Sequence, residues 1–302
     1  MVASILQDRS SLALGNVIGS SISNILGAFS LGLFFHPGRV IFDQSARIYS
    51  AVLFLITTSF TVVALTKNLG RVAGGLFIGA FAIYLASIGY GIYNGVLDAP
   101  EGSDSDDSDD SDDDVSSEGY DTEAGHDDPP AEVSPLLPNN AGGERLAHGR
   151  KRSLLYHVVQ LILGFMALSL SGYVLSHSAS SIADEFDLSG TLLGVTVLSF
   201  ATTLPEKFVA VISSARGHSG IVVASTAGSN VFLLTMCLGI TLVAGNRKEL
   251  AESVILFEVL VTWASSALFL LIAFLGSGRW VGGVLLVLYL LFIVLEFTTY
   301  RR

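Results

Sequence analysis

The sequence has 302 residues, 51% of them apolar, and its mean hydropathy is +0.61. This composition excludes a soluble globular protein of this length and indicates a polytopic membrane protein. The formal net charge of −11 is unevenly spread, because seventeen of the 27 acidic residues lie in residues 98–144, which contain no Lys or Arg. The rest of the chain is mildly basic, and neither part of the sequence supports a nucleic-acid partner.

Eight runs of about 20 apolar residues, the length that crosses a bilayer core of roughly 30 Å, predict eight transmembrane helices. Short polar connectors between most of them make neighbouring helices antiparallel. Three helices precede the acidic segment and five follow it. We therefore divide the chain into an N-terminal half (1–97), an acidic loop (98–152) and a C-terminal half (153–302). The predicted helices cover residues 12–35, 48–66, 72–97, 154–182, 190–215, 219–245, 250–275 and 280–299.

The first predicted helix carries small and polar residues on one face. Asn16, Ser20 and Asn24 recur every four residues, with Gly15 and Gly19 beside them. Glycines four residues apart let two helix backbones approach closely in lipid, so we expect a tight helix contact here. The polar stripe itself is equally consistent with interhelical hydrogen bonds and with a cation site.

The acidic loop is rich in repeated Asp and Ser, and it cannot bury enough apolar surface to offset the entropy of ordering. We therefore expect it to be disordered. The basic cluster at residues 145–152 adjoins a predicted helix, which places the loop in the cytosol by the positive-inside rule. Serines that precede acidic residues leave an acid-directed kinase open as a partner. Such a loop favours a eukaryotic endomembrane (vacuole, endoplasmic reticulum or Golgi), with the plasma membrane as the alternative.

A proline and a glutamate interrupt the fifth predicted helix. Pro205 has no amide hydrogen, so the turn before it is disrupted and carbonyl groups near Thr202 and Thr203 are freed. Glu206 lies three and four residues beyond these threonines and shares their helix face. Carboxylate, hydroxyl and carbonyl oxygens are the ligands that hard cations prefer, and a carboxylate inside a membrane is costly without a cation or partner. We therefore interpret the segment as a cation site, and we expect the neighbouring Lys207 to snorkel or to pair elsewhere.

The sixth predicted helix carries a second polar stripe. Ser225 and Ser229 are four residues apart and can face the glutamate across the helical hairpin, and Asn230 follows directly. Ala224 and Gly228 repeat the small-residue spacing of the first helix, so a second tight helix contact is expected.

The two polar segments resemble the alpha repeats of the calcium/cation antiporter superfamily, to which sodium/calcium exchangers belong. The resemblance rests on GNVIGSSISN (15–24), ATTLPE (201–206) and GSN (228–230). It implies an all-α integral membrane protein with two inverted halves of five helices and cations bound between the repeats. The positions that match cation-coordinating residues are Glu206, Thr202, Thr203, Ser229, Ser20 and Asn24, and the further candidates are Asn16, Ser225 and Asn230.

The chain departs from the family pattern in three ways. In the family a helix with its own Pro-Glu motif precedes the first match, so we expect two helices and one carboxylate to be missing from an incomplete first half. Leu233 stands where the family usually has Asn or Asp, and Lys207 stands where it usually has an apolar residue. We expect exchange of Ca²⁺ for Na⁺, K⁺ or H⁺ by alternating access, without a cofactor. The alternative is a truncated, non-transporting protein that acts as a scaffold or as the partner of a full-length relative.

No sequence motif of a known enzyme class is present, so the sequence gives no support to a catalytic activity. The expected partners are the lipid bilayer and the transported cations.

Overall fold

A computed structural model of the chain describes Ser4 and residues 9–93, 142–253 and 255–299, with the backbone alone at residues 92 and 142–155. Most of the predicted acidic loop therefore lies outside the described residues. The chain divides into two units, Met1–Glu101 with Ser169–Arg302, and Gly102–Leu168. In the second unit, the described side chains, from residue 156 to residue 168, are exposed.

We number ten helices within the described residues. Seven of them, all except α5, α6 and α8, contain a stretch that is long and apolar enough to cross a membrane. Helices α5 and α6, bent by 43° at the break between them, meet the same criteria when they are counted together as one span. This agrees with the prediction of about eight transmembrane helices. The helices are α1 (Ser10–Phe35), α2 (Gln44–Leu65), α3 (Arg71–Tyr93), α4 (Gly142–Glu185), α5 (Gly190–Thr202), α6 (Leu204–Ala215), α7 (Ser219–Ala244), α8 (Arg247–Ser253), α9 (Leu256–Leu275) and α10 (Arg279–Thr298).

Two helix boundaries in the structure differ from the predicted ones. Helix α4 begins at Gly142, so residues 142–152, which we expected in the disordered loop, are helical. Seven of these eleven residues are Glu, Arg, Leu, Ala or Lys, which are strong helix formers, and they outnumber the three Gly residues, which disfavour a helix. The predicted helix 250–275 is two helices, because Ile255 adopts an extended conformation between α8 and α9. The polar sequence of α8, RKELAES, favours a short helix of its own outside the apolar span.

Helix α1 lies at the centre of the first unit. Nearly nine tenths of its apolar stretch is buried, whereas the corresponding share of α10 is under one third. It packs against α5, α7, α8, α9 and α10, and its C-terminal end packs against α6. A helix buried on all sides must find partners for its polar side chains within the protein, so the polar stripe of α1 determines where a site can form.

The glycines of α1 bring it against the backbone of α5. A Cβ atom added to Gly15 would lie 2.6 Å from the carbonyl oxygen of Thr191, and one added to Gly19 would lie 2.2 Å from that of Val195. These distances confirm the predicted tight contact. The second predicted contact is wrong at Gly228, because no other described atom beyond its own helical turn lies within 4 Å of an added Cβ.

Three membrane helices contain a wider, π-helical segment. These segments are Ser23–Phe29 in α1, Gly194–Leu198 in α5 and Leu233–Cys237 in α7. Such segments are rare and occur frequently at functional sites. Asn24 and Leu233, which hold matching positions in the two sequence motifs, both lie in π-helical segments, so the likeness of the motifs extends to their backbone geometry.

Candidate cation site

The break between α5 and α6 forms the centre of the site. Thr203 separates the two helices with φ −99° and ψ 10°. Pro205 stands at the start of α6, where its missing amide hydrogen costs nothing, and Glu206 follows in the first turn, where the helix dipole favours a negative charge. The expected free carbonyl of Thr203 is not found, because its oxygen accepts the backbone N–H of Lys207 at 3.2 Å.

The polar stripe of α1 contacts the end of α5 at Thr202. The Thr202 hydroxyl lies 3.3 Å from Asn16 Oδ1 and 3.4 Å from Ser20 Oγ, and Ser20 Oγ lies 3.4 Å from Asn16 Oδ1. These distances are long for O–H···O hydrogen bonds. The three oxygens are therefore near each other without being tightly paired.

One turn further along, the same stripe of α1 contacts α7. Asn24 Nδ2 donates to Ser229 Oγ at 3.1 Å, and the Ser229 hydroxyl donates to the carbonyl oxygen of Ser225 at 2.8 Å. Ser225 thus enters this group through its backbone. Asn230 is fully buried beside Ser229, and its Nδ2 donates to the carbonyl oxygen of Thr226 at 2.9 Å.

Three of the predicted site residues keep a buried oxygen without a hydrogen-bond donor in the described part of the chain. These oxygens are Glu206 Oε2, Asn24 Oδ1 and Asn230 Oδ1. A buried polar atom left without a partner costs about 1–3 kcal/mol, so each needs a physical explanation. Carboxylate and amide oxygens accept hydrogen bonds or bind cations, and they are typical ligands of hard cations. The arrangement is therefore chemically suited to a cation.

A second group of contacts includes two residues that the sequence analysis missed, Ser23 and Tyr289. Ser23 Oγ lies 2.8 Å from Thr203 Oγ1 and 2.9 Å from the Tyr289 hydroxyl. Ser23 lies seven residues after Asn16 on the same helix face, so helical periodicity could have identified it. No pattern within α10 indicates the role of Tyr289.

Lys207 belongs to this second group, so of the two predicted alternatives, snorkelling or pairing elsewhere, the structure shows the second. Its side chain is only 7% exposed, and its ammonium group donates to Ser23 Oγ at 2.8 Å and to Thr203 Oγ1 at 2.5 Å. The nitrogen also lies 4.8 Å from the ring centroid of Phe200, within cation–π range. Gly27 leaves room for the aliphatic stem, since a Cβ atom there would lie 3.2 Å from Lys207 Cε.

Comparison with solved structures identifies the fold. The sodium-calcium exchanger NCX_Mj superposes with a TM-score of 0.58 over 96% of this chain and 79% of that chain, at 21% sequence identity. The fold is therefore the exchanger fold of an all-α, multi-pass integral membrane protein.

The family model for the sodium/calcium exchanger protein matches residues 1–89 and 156–298, so the chain belongs to this family of transporters. The putative antiporter CaxA of Alkalimonas amylolytica is 26% identical over 239 residues, which are 78% of this chain and 61% of CaxA. The sodium/calcium exchanger MaX1 of Methanosarcina acetivorans is 27% identical over 158 residues, which are 51% of this chain and 43% of MaX1. The chain thus spans less than two thirds of the length of these two relatives.

Proposed function

We propose that the protein is a membrane antiporter that exchanges Ca²⁺ for a monovalent cation, Na⁺, K⁺ or H⁺, with Glu206 as the charged cation ligand. Membership of the sodium/calcium exchanger family supports the proposal, as do relatives named as an antiporter and as a sodium/calcium exchanger. The cations are transported substrates, and the proposal includes no resident cofactor.

One observation carries the proposal: Glu206 Oε2 is buried and has no hydrogen-bond donor among the described residues. A carboxylate inside a membrane-spanning helix pair is costly unless a positive charge approaches it. The ammonium group of Lys207 donates to Ser23 and Thr203 and not to this oxygen, so a transported cation bound here would supply that charge. The oxygens proposed to complete its coordination belong to Thr202, Ser20, Asn24 and Ser229, with Asn16 and Asn230 as further candidates.

Thr203 has a different part in this proposal from the one the sequence suggested. Its hydroxyl donates to the carbonyl oxygen of Ser199 at 2.7 Å and accepts from Lys207 at 2.5 Å. Because the ammonium group of Lys207 already binds this oxygen, we assign Thr203 to the binding of the lysine and not to the transported cation.

Alternating access requires the site to open to one side of the membrane at a time. The polar residues of the proposed site come from α1 in one half of the chain and from α5, α6 and α7 in the other. We expect these two groups of helices to move against each other. The break at Thr203 and the π-helical segments are the points where regular helical hydrogen bonding is interrupted, so we expect them to absorb the movement.

The test is Ca²⁺ flux in liposomes that contain the purified full chain. Na⁺, K⁺ and pH gradients are imposed separately, and the gradient that drives Ca²⁺ movement identifies the counter-ion. Glu206→Gln keeps the size of the side chain and removes its charge, so we expect it to abolish gradient-driven flux. Glu252→Gln is the matched control, because Glu252 is exposed on α8.

Undiminished flux in Glu206→Gln would exclude Glu206 as the essential ligand. Absence of flux in the natural chain under all three gradients would instead favour the scaffold or regulatory-partner alternative. Reconstitution together with a full-length relative would then test whether the chain changes the activity of that relative. Phosphorylation by an acid-directed kinase and an endomembrane location stay predictions.

A further inference from the structure

The ammonium group of Lys207 is surrounded by oxygen atoms in the way a bound cation is. It donates to the hydroxyls of Ser23 and Thr203 and lies 3.4 Å from the carbonyl oxygen of Thr203. The Lys207 Nζ atom lies 5.9 Å from the ring centroid of Tyr289, whose hydroxyl contacts Ser23. We propose that Lys207 is a tethered cation that permanently occupies a monovalent-cation site formed by Ser23 and Thr203, beside the site for the transported ions.

Several features of the structure fit this pocket to a positive charge. The Thr203 hydroxyl gives its hydrogen to the carbonyl oxygen of Ser199, so its lone pairs face the ammonium group. The missing side chain of Gly27 provides the path for the lysine stem. The ring of Phe200 covers the charge. An ammonium group has three donors, and the two hydroxyls and the carbonyl oxygen are three acceptors for it.

The consequence concerns how many ions the site binds. This inference rests on the proposed function, since it counts ions at the same site. A residue that supplies one positive charge takes the place of one monovalent cation, so the natural chain binds one such ion fewer than a chain without the lysine. Lys207 also lies next to Glu206 in sequence, so its charge weakens the attraction of the carboxylate for a divalent ion. Lys207 is thus a residue that determines cation number and selectivity.

The test removes the tethered charge and asks whether a free cation replaces it. Thermal unfolding of the purified full chain is measured in NaCl and in N-methyl-D-glucamine chloride at equal ionic strength. Lys207→Met keeps most of the stem, and we expect its Na⁺-dependent rise in Tm to exceed that of the natural chain by roughly 3 °C at about ten times the Kd. Bound radioactive Na⁺ should increase by one ion per chain.

Two controls separate this effect from a general loss of charge. Lys248→Met removes an exposed lysine near the start of α8 and should leave the Na⁺ response of the natural chain unchanged. Adding Ser23→Ala to Lys207→Met removes one oxygen of the pocket and should abolish the extra response. A Lys207→Met chain that folds and shows no additional Na⁺ binding overturns the proposal.

The proposal can also be tested if the Lys207→Met chain does not fold. Lys207→Gln is then measured, because its amide can still bond to both hydroxyls without carrying a charge. If both variants fail to fold at every Na⁺ concentration, the lysine is a structural link between α1 and α6 that Na⁺ cannot replace, and the proposal is wrong. These readouts do not measure transport. Extra Na⁺ binding in Lys207→Met would therefore support the tethered cation even if the natural chain moved no Ca²⁺.

Discussion

The two sequence motifs that look alike lie in different surroundings. Around Gly19 in α1, the backbone of α5 is so close that a single added carbon would collide with the carbonyl oxygen of Val195. Around Gly228, at the matching position in α7, the described atoms leave open space. Small residues at helical spacing therefore permit a close contact, and a second backbone must be present to form it.

The largest effect is expected from adding a side chain where α1 packs against α5. Gly19→Ala would place its methyl group 2.2 Å from a backbone oxygen, so α1 and α5 would have to separate. Forced overpacking of this kind costs about 1–3 kcal/mol, which lowers the Tm of a chain this size by roughly 2–5 °C. Thermal unfolding in detergent measures the change. An unchanged Tm would contradict the tight contact between these helices.

The π-helical segments of α1 and α7 offer a second test of the difference between the two motifs, and we expect an effect of intermediate size. Asn24 donates to Ser229 and keeps a buried oxygen without a donor, whereas Leu233 holds the matching position with an apolar side chain. If Asn24 binds the transported ion, Asn24→Ala should lower the apparent Ca²⁺ affinity about tenfold, as expected for the loss of about 1.4 kcal/mol. The measurement is the Ca²⁺ dependence of flux in liposomes.

The matched variant for that measurement is Leu233→Ala, which removes side-chain volume without removing a polar ligand. We expect it to leave the apparent Ca²⁺ affinity within about twofold, since no oxygen is lost. Equal losses of affinity in Asn24→Ala and Leu233→Ala would mean that both changes act through packing, and Asn24 would then lose its proposed role as a ligand.

The smallest effect is expected from adding a side chain at Gly228 in α7, where the described atoms leave open space. Gly228→Ala meets no described atom within 4 Å, and alanine favours a helix over glycine by up to about 1 kcal/mol. The Tm should therefore stay constant or rise by at most roughly 2 °C. A fall in Tm as large as that of Gly19→Ala would indicate that the face around Gly228 is also packed in the folded protein.

Much of the fold could be predicted from local sequence. Apolar runs of sufficient length indicate the membrane helices, Pro205 indicates the break before Glu206, and Gly15 with Gly19 indicate a tight helix contact, although not its partner. Each of these features depends on residues close together in the chain. The junction of α8 and α9 was missed because the apolar character of residues 250–275 conceals the extended residue Ile255.

The site was less predictable because its contacts join distant segments. The position of Lys207 depends on Ser23 and Gly27 in α1 and on Tyr289 in α10, and nothing in the sequence around Lys207 specifies them. The usual expectation for a membrane lysine is that its charge reaches the interface. Here Gly27 leaves room for the lysine stem, and the hydroxyls of Ser23 and Thr203 bind its ammonium group inside the protein. These residues come together only when the helices pack.

The adjacent positions of Glu206 and Lys207 have a consequence for the membrane potential. Both residues lie in the first turn of α6, so the formal charges of the acidic and the basic side chain cancel within this turn. Moving one net elementary charge across a membrane potential of 100 mV requires or releases about 2.3 kcal/mol, depending on its direction. In the proposed cycle, this pair of residues would therefore add nothing to the voltage dependence of the step without ions, and its electrical contribution would appear only when a cation binds.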